Sequence, residues 1–273
     1  MIAIIIFLFI VFIYIYFETN SLKTSKYTIH SNKIPNIFKG YKILQISDFH
    51  NKSFGDNNQK ILKIISDEDP DIIVITGDII NKREYNDKIA MDLINSISPK
   101  YEVFFTTGNH EVRSGIFREL EPKFKDAGVN IIHNECINIY RDHELISFIG
   151  TDDPGEKRYR IEEEVTTDKY LKKALENAPK DKYRILLTHR PEYFSIYVKN
   201  KIDLVLSGHT HGGQIRLPFI GAIFVHHQAL FPKMSKGIFY KENTTMIING
   251  GIGTSRLPIR TFNKPEIVVI TLN

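Results

Sequence analysis

The sequence predicts an α/β protein: two mixed β-sheets packed face to face and flanked by helices, an αββα sandwich, behind an N-terminal transmembrane helix. Three observations predict it. Short apolar runs alternate with amphipathic stretches through the first half, which is the grammar of βαβ units. From Ile215 onward the chain reads as mostly β, so a second sheet follows the first. Residues 1–17 are uninterrupted apolar, a stretch that as a helix spans roughly 25 Å.

The apolar start reads as an uncleaved anchor. A secretory signal normally carries a basic leader and a small-residue cleavage site. Here no Lys or Arg precedes the run, and Glu18-Thr19-Asn20-Ser21 follows it. Tyr14 and Tyr16 would sit at the membrane interface as an aromatic belt. The expected organisation is an anchor at 1–19, a juxtamembrane segment at 20–40 and a catalytic domain at 41–273. Lys23, Lys26, Lys33, Lys39 and Lys42 follow the anchor. The positive-inside rule then puts a single-pass protein in the cell membrane with its domain on the cytoplasmic face. The same lysines could instead contact anionic headgroups.

The elements follow in order. Ile-rich and Val-rich strands are expected at 41–47, 72–76, 103–107, 146–149, 185–187 and 204–207. Helices are expected at 57–67, stopped by Asp69-Pro70, at 87–97, stopped by Ser98-Pro99, and at 116–127, closed by Gly128. Another is expected at 167–178, ending at Pro179. Further strands fall at 238–240, 245–248 and 267–270. The apolar segment 219–225 reads as a core strand or hairpin, with lipid contact as the other reading.

Polar motifs stand at the ends of these strands: Asp48-Phe49-His50, Gly77-Asp78, Gly108-Asn109-His110, Thr188-His189 and Gly208-His209-Thr210-His211. Asp48, Asp78 and Asn109 lie 30 and 31 residues apart. Each βαβ step of about 30 residues returns the chain to the same sheet edge, where open α/β sheets bind ligands. Taken singly, Asp48 could cap a helix, Asp78 could serve a turn, and His189 could be a hydrogen-bonded buried imidazole. The joint occurrence is what points to a metal site. Asp oxygens, an Asn carbonyl and neutral His nitrogens suit Mn, Fe or Zn. The only cysteine, Cys136, lies outside every motif. A pair of ions about 3.5–4 Å apart can clamp both oxygens of an in-line displacement at phosphorus.

In these five motifs, taken in order, the chain resembles the calcineurin-like metallophosphoesterases. Its later segments, Gly213-Gln214-Ile215-Arg216-Leu217-Pro218 and Pro265-Glu266-Ile267, look like a membrane-associated bacterial branch that includes hydrolases of lipid-linked diphosphates. The resemblance implies an αββα sandwich and two divalent ions. It implies that Asp48, His50 and His211 hold one ion, that Asp78 bridges, and that Asn109, His189 and His209 hold the other. It implies that His110, not a ligand, stabilises charge at the phosphoryl group and acts as general acid while metal-bound hydroxide attacks in line. Glu111 stands where many members carry Asp, so its role is left open.

Arg190, Arg216, Arg256 and Arg260 are candidate partners for an anionic substrate, with Arg190, Arg216 and Arg260 carried forward. Asp152-Asp153-Pro154 reads as turn chemistry. His30, His133, His143, His226 and His227 read as surface or core histidines, with His226-His227 at the site rim as the alternative. The net charge is +4, much of it juxtamembrane, and no basic-aromatic face recommends nucleic acid. A single cysteine rules out an intrachain disulfide scaffold. The expected partners are a phosphate ester, a membrane lipid among the possibilities, and the bilayer. A soluble phosphomonoester or nucleotide is the alternative substrate. A metal-binding membrane protein without turnover is the alternative class.

Overall fold

Runs of Ile, Val and Phe form strands because branched and aromatic side chains pack well on a pleated surface covered on both sides. The computed structural model describes residues 1–82, 86–155, 157–225, 230–254 and 257–273. His226, His227 and Arg256 lie outside the described residues. The strands are β1 (Lys23–Ile29), β2 (Lys42–Ile46), β3 (Ile72–Thr76), β4 (Glu102–Thr106), β5 (Asn130–Ile131), β6 (Glu135–Arg141) and β7 (Glu144–Gly150). They continue with β8 (Tyr183–Leu187), β9 (Leu204–Ser207), β10 (Arg216–Leu217), β11 (Gly221–Ala222), β12 (Gly237–Lys241), β13 (Thr244–Ile248) and β14 (Glu266–Leu272). The helices are α1 (Ile2–Asn20), α2 (Gln59–Glu68), α3 (Asp87–Ile97), α4 (Asn109–Ser114), α5 (Phe117–Asp126), α6 (Arg160–Ala174) and α7 (Phe194–Lys199).

Two six-stranded mixed sheets result, ordered β1-β14-β2-β3-β4-β5 and β12-β13-β9-β8-β7-β6. The period-2 alternation of strand side chains divides three cores. Ile43, Val74 and Phe104 of the first sheet meet Phe148, Ile185 and Leu206 of the second between the layers. On the outer face of the first sheet, Ile73, Ile75 and Phe105 pack with Ile61, Leu93 and Phe124 from α2, α3 and α5. On the outer face of the second, Leu186 and Val205 pack with Leu171 and Tyr197 from α6 and α7. The expected αββα sandwich is therefore the architecture.

Three expectations need adjusting. Residues 20–40, set apart as juxtamembrane, contribute β1, which pairs in parallel with β14 at the edge of the first sheet. Its lysines stay outside while Ser25 and Ile29 turn inward, so the strand hides among basic residues. Helix α6 begins at Arg160 rather than 167 and ends at Ala174 rather than 178. Ile161 and Val165 in its first turns are exposed, so that part shows no buried apolar stripe. The segment 219–225 supplies the tip and the second strand, β11, of a short hairpin with β10, but Phe219 and Ile220 at that tip point out of the core.

The parallel order β2-β3-β4 brings the ends of those strands to one edge. The parallel pair β8-β9 in the facing sheet does the same for residues 188–211. Helix α1 is long and apolar enough to cross a membrane, and Thr19 is its buried residue. Its last turns dock at this same end. Thr19 Oγ1 accepts the Arg260 N–H at 2.9 Å, and Lys52 Nζ donates to the Thr19 carbonyl at 2.6 Å.

Candidate metal centre

Five of the seven predicted ligands sit in left-handed turns beyond their strands, while Asn109 opens α4 and His189 follows β8 without one. Asp48 (φ 50°), His50 (φ 49°), Asp78 (φ 54°), His209 (φ 70°) and His211 (φ 51°) are all left-handed. Non-glycine residues rarely adopt that region, and such strain of about 1–3 kcal/mol each concentrates at functional sites. Glycines leave the space needed. A Cβ on Gly77 would lie 2.6 Å from Gly108 Cα and 2.8 Å from His189 Nδ1. A Cβ on Gly108 would collide with Asp78 Oδ1, and one on Gly208 with Asp48 Oδ2.

The side chains converge on Asp78. Its Oδ2 lies 3.2 Å from His189 Nε2, 3.7 Å from His50 Nε2 and 4.0 Å from His110 Nε2. On one side, His211 Nε2 is 3.4 Å from Asp48 Oδ1 and 3.2 Å from His50 Nε2. On the other, His209 Nδ1 is 3.2 Å from His189 Nε2. Among the described residues three ligand-like triads overlap here: Asp48-His50-His211, His50-Asp78-His110 and Asp78-His189-His209. Asn109 opens α4 beside them and is buried.

The donor set fits a pair of cations. His189 Nδ1 donates to the Thr76 carbonyl at 2.8 Å, and His50 Nδ1 to the Ile80 carbonyl at 3.2 Å. In the neutral rings that leaves both Nε2 lone pairs facing inward, the usual tautomer of a metal-binding imidazole. The His50 lone pair then points at a second imidazole nitrogen, and the His189 lone pair at a carboxylate. The contact between the His189 lone pair and the Asp78 carboxylate is repulsive until positive charge enters between them. Asn109 Oδ1 and His211 Nδ1 are buried without a hydrogen-bond partner. Buried oxygens normally find one, and a cation is a ready partner for the Asn109 oxygen.

The electrostatics agree. Burial would lower the pKa of His189, but Asp78 and Asp48 outweigh it and raise it to about 10, so the carboxylates favour positive charge at this point. Burial raises Asp78, yet His189, His110 and His50 hold it well below the usual carboxylate range. Burial first, then the neighbouring Arg190 and His189, keeps His209 neutral. Burial with His50 and Arg260 does the same for His211. His110, also depressed mainly by burial, falls to about 3 and stays neutral at ordinary pH.

The arginines behave differently from the expectation. Arg190 is buried and bidentate to Asp153, with Nε–Oδ2 at 2.5 Å and Nη2–Oδ1 at 3.2 Å. Its Nη1 lies 3.2 Å from His209 Nε2, so it buttresses that ring. Arg260 is fully buried and donates to the carbonyls of Gly250, Gly251 and Gly253, which wrap Asp48. Both guanidiniums are engaged, so neither is presented to a substrate. Sequence alone cannot separate a paired arginine from an open one. Arg216 is half-buried, with Nη1 donating to the Gly212 carbonyl at 3.0 Å and Ser235 Oγ at 2.9 Å.

Two carboxylates matter more than the sequence reading allowed. Asp153, read as turn chemistry, is the buried partner of Arg190. Glu111 accepts the backbone N–H groups of Asp78 (2.7 Å), Gly108 (2.8 Å) and Ile80 (3.2 Å). Burial and the nearby Asp78 push its carboxyl up to about 7 against the pull of those N–H groups. The capping-box spacing from Gly108 to Glu111 was the available signal. The glycine cluster at 250–253 was another, because Gly253 N donates to the Asp48 carbonyl.

Comparison with known proteins agrees with this geometry. The model of the family described as calcineurin-like phosphoesterase matches residues 41–213. An uncharacterized metallophosphoesterase of Aquifex aeolicus is 32% identical over 268 residues, covering 95% of each chain. A zebrafish (Danio rerio) protein named a transmembrane protein with metallophosphoesterase domain is 26% identical over 248 residues, covering 88% of this chain and 55% of that one. The crystal structure of TT1561 of Thermus thermophilus superposes with a TM-score of 0.51 at 14% identity, over 77% of this chain and 89% of that one. That last likeness concerns the fold alone. The chain belongs to the calcineurin-like phosphoesterase family.

Proposed function

We propose that this protein is a membrane-anchored, dimetal phosphoesterase that cleaves a phosphodiester or diphosphate bond, with a lipid-linked ester as its substrate class. One observation carries the hydrolase reading: the inward lone pairs of His50 and His189 converge on Asp78 beside the unpartnered Asn109 oxygen. Asp48, His50 and His211 would hold one divalent ion, Asn109, His189 and His209 the other, with Asp78 between. Ions of the Mn, Fe or Zn type bound there would supply Lewis acidity and a water acidic enough to ionise near neutral pH.

The chain's own part centres on His110. The Lys82 N–H donates to His110 Nδ1 at 3.1 Å. The neutral ring therefore carries its proton on Nε2, the nitrogen that faces Asp78. His110 presents that N–H to the phosphoryl group and its departing oxygen. Taking up a second proton would require the Lys82 hydrogen bond to break first. The buried Arg190-Asp153 pair and Glu111 keep the neighbouring rings and turns in place.

The anchor reading is supported by α1 and by the zebrafish relative's name. The cytoplasmic orientation follows from the lysines after α1 and stands as part of this proposal. The test is a panel of phosphorus esters, lipid diphosphates in detergent included, run on the full-length protein reconstituted with Mn. Turnover should fall by about 10²–10⁴ in His110→Ala while metal content is kept. Equal trivial rates in both would favour a binding protein. Untouched lipid diphosphates beside rapid turnover of soluble esters would move the substrate to the soluble class.

A further inference from the structure

Several large apolar side chains outside the core gather on one surface next to α1. Phe219 is 109% exposed, and Leu217, Ile220, Phe224, Phe231 and Phe262 are exposed as well. The backbone ties them together. Arg216 N donates to the Thr261 carbonyl, Ile223 N to Ile215, and Phe231 N to Ile223. Phe262 N then donates to the Tyr14 hydroxyl of α1 at 2.9 Å, and the two rings lie 5.3 Å apart. The hairpin, the 230s and the 260s thus form one collar continuous with the apolar helix.

Three of these residues sit in an unusual backbone state. Phe219 (φ 65°), Phe231 (φ 54°) and Phe262 (φ 46°) are left-handed. Bulky residues rarely adopt that region, and strain there persists where the surroundings or a function demand it. The rings face outward, so core packing does not explain them. Lys233 and Lys264, both exposed, stand two residues from Phe231 and Phe262.

The length of α1 points the same way. A helix of 19 residues measures about 28 Å, close to the hydrocarbon thickness of roughly 30 Å. Yet its last turns are docked on the domain from Tyr14 onward. Tyr14 lies six residues, about 9 Å, before the end of α1, so a helix that crosses the bilayer carries the Tyr14–Phe262 contact, and the collar with it, to the membrane boundary.

We infer that this collar is a membrane-docking surface: the β10-β11 hairpin and the rings of Phe219, Phe231 and Phe262 insert at the headgroup–acyl boundary beside α1, with Lys233 and Lys264 at the headgroups. The inference rests on the anchor reading given above. His211 leads directly through Gly212 and Gly213 into this hairpin, and Arg216 donates back to Gly212. Docking therefore holds the metal-binding end of the sandwich against the bilayer.

The chain has no tryptophan, so a single introduced one reports alone. The full-length variants F219W and Y140W are reconstituted into phosphatidylcholine–phosphatidylglycerol vesicles whose acyl chains carry bromine near the headgroup. Tyr140 is exposed on β6, the strand at the far edge of the second sheet. Flotation reads whether α1 has inserted. The expected result is floating protein in which F219W emission shifts to the blue and loses intensity to bromine, while Y140W keeps both. Floating protein whose F219W emission stays water-like overturns the docking surface and leaves the anchor standing. Protein that does not float overturns both. A blue shift that ignores bromine and grows with the protein-to-lipid ratio assigns the collar to a second copy of the chain and overturns the membrane assignment.

Discussion

Glu111 holds the backbone of Asp78: its Oε2 accepts the Asp78 N–H at 2.7 Å, across 33 positions of chain. The same oxygen accepts from Gly108 at 2.8 Å. One buried carboxylate thus joins the turn after β3 to the turn after β4 and fixes the left-handed Asp78.

Glu111→Gln turns an acceptor toward N–H groups as a donor. Outer groups that orient ligands commonly contribute 10–100-fold to metal affinity. The expected outcome is a loss of that order in metal affinity, read by competition with a chelator, together with about 1–3 kcal/mol of stability. Stability loss with unchanged metal affinity would reduce Glu111 to a structural cap.

Gly108→Ala places a methyl group against Asp78 Oδ1 and the Asp78 amide. No flexible neighbour can yield, because the obstacle is the site itself. The variant should fold with the sandwich intact by circular dichroism yet bind less than half the wild-type metal. Full metal content would show that Asp78 can shift without consequence.

Asp153→Asn leaves Arg190 charged and buried. Breaking one partner of a buried ion pair costs about 3–5 kcal/mol. Urea unfolding should register a loss of this order, and the release of His209 from its buttress should weaken one of the two ions more than the other. A change under about 1 kcal/mol would mean that Glu192, whose Oε1 already lies 3.3 Å from Arg190 Nη1, holds the charge without Asp153.

His133 gives a pH signature away from the metals. Its Nδ1 lies 2.9 Å from Asp152 Oδ1, and this contact, opposed by burial, raises its pKa above the usual value. The charged ring is therefore favoured in the folded state. That contribution is fully present below the unfolded histidine pKa of about 6.5 and disappears as pH rises through the folded value. NMR titration should place His133 above about 6.5, and Asp152→Asn should bring it down. An unmoved titration in the variant would remove Asp152 as the cause.

The sandwich was legible because its strands are nearly pure Ile, Val, Leu and Phe, and because 30-residue spacing of Asp48, Asp78 and Asn109 dictates a common edge. Strand β1 was not, since an edge strand with Lys23 and Lys26 outward reads like a basic linker. The site's acids and imidazoles stood in short motifs that a sequence displays. The roles of Arg190, Arg260 and Asp153 did not, because pairing and burial depend on segments as distant as residues 153 and 190. The outward Phe219 was misplaced for a related reason: apolar sequence predicts burial, and here the hairpin carries the ring away from every core.

The central claim is that Asp78 stands between two cations. Crystals of the metal-loaded protein, measured above and below the absorption edge of the supplied ion, test it most directly. Two anomalous peaks about 3.5–4 Å apart, one by Asp48, His50 and His211 and one by Asn109, His189 and His209, with Asp78 touching both, are the predicted result. A single peak, or ions seated away from Asp78, would contradict it.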